Sequence, residues 1–169
     1  MADQELMEAA RALLDLCRGK GLMLAAAESC SGGLLAVTLT EIPGSSDVFE
    51  RGFVTYSNEA KRVMLGVAPT TLAKHGAVSR ETAEAMARGA LSNAPVELAV
   101  SITGIAGPGG AVPGKPVGLV HFAAARRNGR LVHRERRYGD IGRAKVRRAC
   151  VFEALTMLRE LAEEDGGGG

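Results

Sequence analysis

Apolar residues recur at Leu6, Ala9, Ala10, Leu13, Leu14 and Cys17, the i, i+3, i+4 spacing of a helix with one buried face, and Gly19 and Gly21 close it. The run Leu22 to Ala27 is short and apolar, the pattern of a strand buried on both faces. A helix is predicted from about Ser31 to Thr40, broken by "IPGSSD". An alternating strand over Phe53 to Ser57 and one or two helical turns over "NEAKRVMLG" come next. Ser79 has the position of an N-cap for a helix to about Leu91, with Glu81 and Glu84 at its positive end. Val96 to Gly104 reads as a second buried strand. "VGLVHFAAA" and "LVHRERRY" form a hairpin around Asn128-Gly129, and a final helix carries Val146, Cys150, Ala154, Met157 and Leu161.

Strands alternating with helices, plus a late hairpin, predict an α/β sandwich on a mostly parallel, mixed sheet. One domain over 1–164 accounts for the pattern, and the Gly-rich tail 165–169 is expected to be disordered.

Composition narrows the function classes. The aromatic share is 4%, without Trp, so the core is aliphatic and there is little to stack on single-stranded nucleic acid. A net charge of +2 supplies no general attraction to nucleic acid, and the basic stretch Arg126 to Arg137 reads as a solvated edge. No apolar segment reaches the ~18 residues a bilayer span needs, and the amphipathic N-terminus has no signal-peptide core. A cytoplasmic protein without membrane partners is expected. Cys17, Cys30 and Cys150 have no CxxC spacing, and His75, His121 and His133 make no ligand pair, so no metal or cofactor is expected.

Three loops have compositions that connectors do not need: "ESCSGG" (28–33), "PGSSDVFERG" with "TYSNEAK" (43–61), and "TGIAGPGG" (103–110). The first sits between a strand and a helix, where Ser31, Gly32 and Gly33 suit an anion at the helix N-terminus; its other reading is a glycine turn with a serine cap. It is neither a Walker motif nor a G-x-S-x-G elbow. Cys30 has no histidine in a recognisable relation to it, so a small buried thiol is the better reading than a nucleophile. The second loop offers Ser45, Ser46, Tyr56 and Lys61. Without a placed His, a serine needs a neutral lysine as its base, and Lys61 follows an apolar strand at the start of a helix. The third loop supplies main-chain N–H groups and little bulk, as an oxyanion site requires.

"AESCSGG", "PGSSDVFERGFVTYSNEAK", "HGAVS" and "TGIAGPGG" with "KPVG" closely resemble the C-terminal domain of the CinA family, whose stand-alone members are nicotinamide mononucleotide deamidases. The resemblance spans roughly Glu5 to Leu161. It implies a three-layer α/β/α sandwich and a serine–lysine amidase without metal or organic cofactor, converting nicotinamide mononucleotide to nicotinate mononucleotide and ammonia. It implies Lys61 as the base, Ser46 as nucleophile with Ser29 in reserve, and Tyr56 as an orienting group. Cys30, Ser31, Gly32, Gly33, Thr103 and Gly104 are implied substrate contacts. Arg143 matches the family arginine before the last helix, a phosphate or ribose ligand, although Gly142 precedes it where the family has Asp and the aspartate stands at Asp140.

Two other readings remain beside the amidase. One is a non-catalytic nucleotide-binding or regulatory module, the other a serine–lysine peptidase, for which no extended groove is suggested. A homo-oligomer is compatible with the sequence.

Overall fold

The structure is a computed structural model that describes residues 3–165, so most of the expected Gly-rich tail lies outside the described residues. In chain order the elements are α1 (Gln4–Lys20), β1 (Leu24–Glu28), α2 (Leu34–Thr40), a 3-10 turn (Ser45–Asp47), β2 (Phe49–Val54), α3 (Asn58–Leu65), α4 (Pro69–His75), α5 (Arg80–Ser92), β3 (Leu98–Gly104), β4 (Leu119–Arg126), β5 (Leu131–Arg137) and α6 (Arg143–Glu163).

The five strands form one sheet in the order β2-β1-β3-β4-β5. β1 pairs in parallel with β2 and β3, β4 runs antiparallel to β3, and β5 antiparallel to β4. Four strands therefore share one direction and only β4 is reversed, which is the mixed, mostly parallel sheet expected. α1, α2 and α6 pack on one face, and α3, α4 and α5 on the other.

The two faces differ in chemistry, and the period of two along each strand sets the difference. Leu24 and Ala26, Leu98, Val100 and Ile102, and Val120 and Phe122 point to α1 and α6 in the main core. The intervening positions Ala27, Ala99, Ser101, Ala123 and Ala125 carry short side chains towards α5, which answers with Ala83, Ala87 and Ala90. Ser101 Oγ spends its proton on the Ala83 carbonyl at 2.6 Å, so the hydroxyl costs nothing where it is buried. α5 lies close enough to α3 that a Cβ on Gly89 would fall 2.1 Å from the Leu65 carbonyl oxygen. Gly89→Ala is therefore expected to destabilise by about 1–3 kcal/mol, the usual cost of overpacking, despite a helix-propensity gain of about 1 kcal/mol. Urea unfolding checks it; an unchanged or raised midpoint would show that the α3–α5 contact yields.

Differences from expectation have local causes. β2 begins at Phe49 instead of Phe53, because it is an edge strand, which tolerates the charges of "FERG". α2 begins at Leu34 instead of Ser31, because Gly32 (φ 60°) and Gly33 (φ 99°) hold a left-handed turn. α4 buries none of its residues fully, so it left no periodic signal beyond Pro69 in its first turn. The basic stretch near the hairpin is a largely solvated edge, with Arg130, Arg136 and Arg137 exposed, but its first two arginines also hold main-chain carbonyls. Arg126 donates to the Leu161 and Glu164 carbonyls (3.0 and 2.9 Å) at the end of α6, and Arg127 to Leu91, Ala94 and Val96 (2.7, 3.0 and 2.8 Å) after α5.

Candidate active site

β1 delivers Glu28, Ser29 and Cys30 to the carboxyl edge of the parallel strands, where ligands of open α/β sheets bind. Ser29 N donates to Ile102 O at 3.0 Å, which continues the β1–β3 ladder one residue past the strand and fixes the serine backbone. Ser57 caps α3 by accepting from Ala60 N at 3.0 Å, and this places Lys61 in the first turn of that helix, aimed back at β1.

Lys61 is 1% exposed, and its Nζ lies 2.9 Å from Ser29 Oγ, 2.8 Å from Thr55 O and 3.4 Å from Tyr56 O. Burial strips water from the ammonium and holds the lysine below its usual range, an effect only partly opposed by the Cys30 thiol. The two carbonyls can take both protons of a neutral amine. The remaining lone pair then accepts from the Ser29 hydroxyl, the alignment a general base requires.

A pocket of about 280 Å³ opens on this pair, lined also by Cys30, Tyr56, Ala77, Val78, Thr103, the 104–110 loop and Arg143. Thr103 Oγ1 donates to Ala77 O at 2.8 Å, which ties the Ala77–Val78 wall to β3. Thr103 thus lines the pocket with its hydroxyl proton directed to the Ala77 carbonyl. The main-chain N–H groups of Ala106 and Gly107 donate to no main-chain carbonyl among the described residues. Arg143, first residue of α6, donates from Nη1 to Gly107 O (2.7 Å) and from Nη2 to Tyr56 Oη (2.8 Å), bridging the two sides of the pocket mouth.

Ser46 is not brought to this site. It is exposed in the 3-10 turn before β2, while the pocket lies beyond the opposite end of β1 and β2. At about 3.3 Å per residue, six strand residues put some 20 Å between the two ends, so the Ser46–Lys61 pair is replaced by Ser29–Lys61. The turn expected to cradle an anion is corrected as well. Glu28, 1% exposed, accepts from Leu35 N at 2.9 Å and Ala36 N at 3.0 Å, filling the α2 N-terminus with the protein's own carboxylate. Ser31, Gly32 and Gly33 face α6 and β2: Arg147 Nη2 donates to Ser31 O at 3.0 Å, and a Cβ on Gly33 would touch Val54. Among the described residues no group of three His, Cys, Asp or Glu could hold a metal, and no helix is long and apolar enough to cross a membrane.

Glu28 and the Ala77–Val78 wall had no role in the sequence reading. An acid between a fully apolar strand and a glycine turn is the signal for the first, since a buried carboxylate must have dedicated donors.

A three-layer α/β/α sandwich with a buried lysine on a serine at its carboxyl edge is thus the class of protein defined by fold and site. The chain belongs to the CinA C-terminal domain family, whose model matches residues 6–162. Nicotinamide-nucleotide amidohydrolase PncC of Escherichia coli is 49% identical over 159 residues, covering 94% of this chain and 95% of that protein. A Caldicellulosiruptor bescii protein named for competence and damage induction is 46% identical over 158 residues, 94% of this chain, which spans only 38% of that longer relative. Among solved structures, the competence/damage inducible protein CihA from Agrobacterium tumefaciens superposes with a TM-score of 0.95 at 54% identity, covering 96% of this chain and 99% of that one.

Proposed function

We propose that the protein is an amidohydrolase that converts nicotinamide mononucleotide to nicotinate mononucleotide and ammonia, with Ser29 as nucleophile and Lys61 as general base. The observation that carries this reading is the 2.9 Å contact from a buried, desolvated lysine to the serine at the end of β1. The full-length match to an amidohydrolase of nicotinamide nucleotides supports the substrate.

Ser29 Oγ attacks the carboxamide carbon while Lys61 Nζ takes its proton. The developing oxyanion is met by the main-chain N–H groups of Ala106 and Gly107, and Thr103 Oγ1 accepts from the carboxamide nitrogen. Lys61 then protonates the departing nitrogen, ammonia leaves, and an acyl-Ser29 remains. Water adds to that ester as Lys61 takes its proton. Return of the proton to Ser29 Oγ releases the carboxylate and restores the pair.

Arg143 and the α6 N-terminus are the proposed phosphate partners. Gly142 gives that helix no side-chain cap and its first turn holds no acid, so its positive end is uncompensated from within, unlike that of α2. Ammonia release is expected from nicotinamide mononucleotide, with the riboside at least ~10²-fold lower in kcat/KM, since each charge-assisted hydrogen bond contributes roughly 1.5–3 kcal/mol. Arg143→Ala should lower the nucleotide rate and leave the riboside nearly unchanged. Equal losses on both would remove Arg143 from the phosphate, and no ammonia from the nucleotide would overturn the function.

A further inference from the structure

Helix α2 takes its N-terminal acceptor from a distance. Gly33 stands at the capping position with no side chain to offer. The N–H groups of Leu35 and Ala36 are met instead by the two carboxylate oxygens of Glu28, seven and eight residues upstream at the end of β1 (2.9 and 3.0 Å). A local Ser, Thr or Asp would cap the helix without burying a charge. Glu28 is 1% exposed, and only its two dedicated donors hold the carboxylate there. What the strand position adds is a tie between the helix and the edge that carries Ser29. Successive side chains along a strand point to opposite faces. Glu28 follows Leu24 and Ala26 towards α2 and the main core. Ser29, whose N–H continues the ladder to Ile102 O at 3.0 Å, turns the other way to Lys61. The main chain of Glu28 holds the base as well. Its carbonyl accepts from Thr55 N at 2.8 Å, and the Thr55 carbonyl accepts from Lys61 Nζ at 2.8 Å. Ser29 is thus hung from Glu28 by one peptide bond and Lys61 by way of Thr55, so both partners take their register from one residue, which takes its own from α2.

We infer that Glu28 is a positioning residue for the hydrolysis: its carboxylate, clamped on the first turn of α2, sets the 2.9 Å approach of Lys61 to Ser29. Glu28 is outside the pocket lining and takes no part in proton transfer, so it acts on the reacting atoms only through Ser29 and Lys61. Glu28→Gln keeps the size of the side chain but turns an amide NH₂ towards one of the two helix N–H groups, which opens half of the clamp and leaves a buried donor unpaired. The end of β1 then shifts against α3, and a misplacement of about 1 Å costs on the order of 10²-fold in rate. The loss of turnover rests on the amidase reading; the alignment of Ser29 with Lys61 does not.

The test compares wild type, Glu28→Gln and Glu28→Asp as full chains. It follows ammonia release from nicotinamide mononucleotide, the Kd for that nucleotide, and the rate at which a fluorophosphonate labels Ser29, read by peptide mass. Glu28→Gln is expected to lose about 10²-fold in kcat and a similar factor in the labelling rate, with KM and Kd unchanged. Glu28→Asp keeps the charge on a shorter stem that still reaches one N–H, so its kcat and labelling rate fall between the other two; it decides the matter if Glu28→Gln does not fold. A folded variant with wild-type kcat and labelling, or a loss confined to KM and Kd, would overturn the inference and leave Glu28 as a cap of α2 alone. If wild type releases no ammonia while its Ser29 labels and the variants label more slowly, the function fails and the positioning stands. If Ser29 of the wild type does not label, there is no activated serine to position and the inference falls.

Discussion

Lys61→Ala leaves the fold and nucleotide binding largely intact and removes ammonia release, by at least the ~10²–10⁴-fold that loss of a general base costs. Lys61→Arg fails as well, because a guanidinium stays protonated at any working pH and offers no lone pair to Ser29. The wild-type pH profile carries the same information. Burial lowers the lysine's pKa, so kcat/KM should rise with pH to a plateau whose midpoint lies below the ~10.4 of an exposed lysine. The linkage sign is opposite to that of a salt-bridged lysine. The folded state binds fewer protons than the unfolded one, so Lys61 opposes folding at pH values below its folded pKa, and the penalty fades as pH rises towards the unfolded value. Lys61→Met should therefore be inactive without the acid-side penalty, measured as Tm against pH beside the wild type. A Lys61→Ala enzyme that keeps more than about a tenth of wild-type kcat, far short of the range for base loss, would end the proposed pair.

Ser29→Ala is the second large effect. Removing the nucleophile should bring turnover to the residual left by binding and oxyanion donors, a loss on the order of 10⁴–10⁶ by analogy with other serine nucleophiles, with the Kd for the nucleotide little changed. Ser46→Ala should be indistinguishable from wild type, since its exposed hydroxyl belongs to the turn beside Arg18 and Asp47 at the far end of the sheet. An active Ser29→Ala with an inactive, folded Ser46→Ala would reverse the assignment.

That reversal between two serines shows where the sequence was legible. Helix α1, strand β3, the Asn128-Gly129 hairpin and α6 follow from spacing alone, since each buries a regular apolar stripe. Lys61 was singled out by chemistry, because a serine without a placed histidine needs some other base, and the structure sets it 2.9 Å from a serine hydroxyl. Ser46 failed on topology. "PGSSD" precedes its strand, and in a parallel sheet the loops that enter strands lie at the end away from the ligand, whichever residue begins β2. Ser29, at the exit of β1, satisfied that rule. The anion cradle failed because "ESCSGG" advertised free helix N–H groups, and Glu28, within the same six letters, occupies them. Contacts between distant segments, such as Arg143 with Tyr56 and Gly107, were beyond any local pattern.

The alanine and serine layer under α5 has a consequence for how this pocket can change. Ala99, Ser101, Ala123 and Ala125 do not line the pocket, yet their small size sets how deeply α5 settles on the sheet, and α5 is entered through Ala77 and Val78. One wall of the cleft is thus hung from a helix whose height is tuned from beneath. Enlarging a residue in that hidden layer would lift the wall from Thr103 and widen the cleft, so substrate range in this scaffold can drift through substitutions that no inspection of the pocket lining would flag.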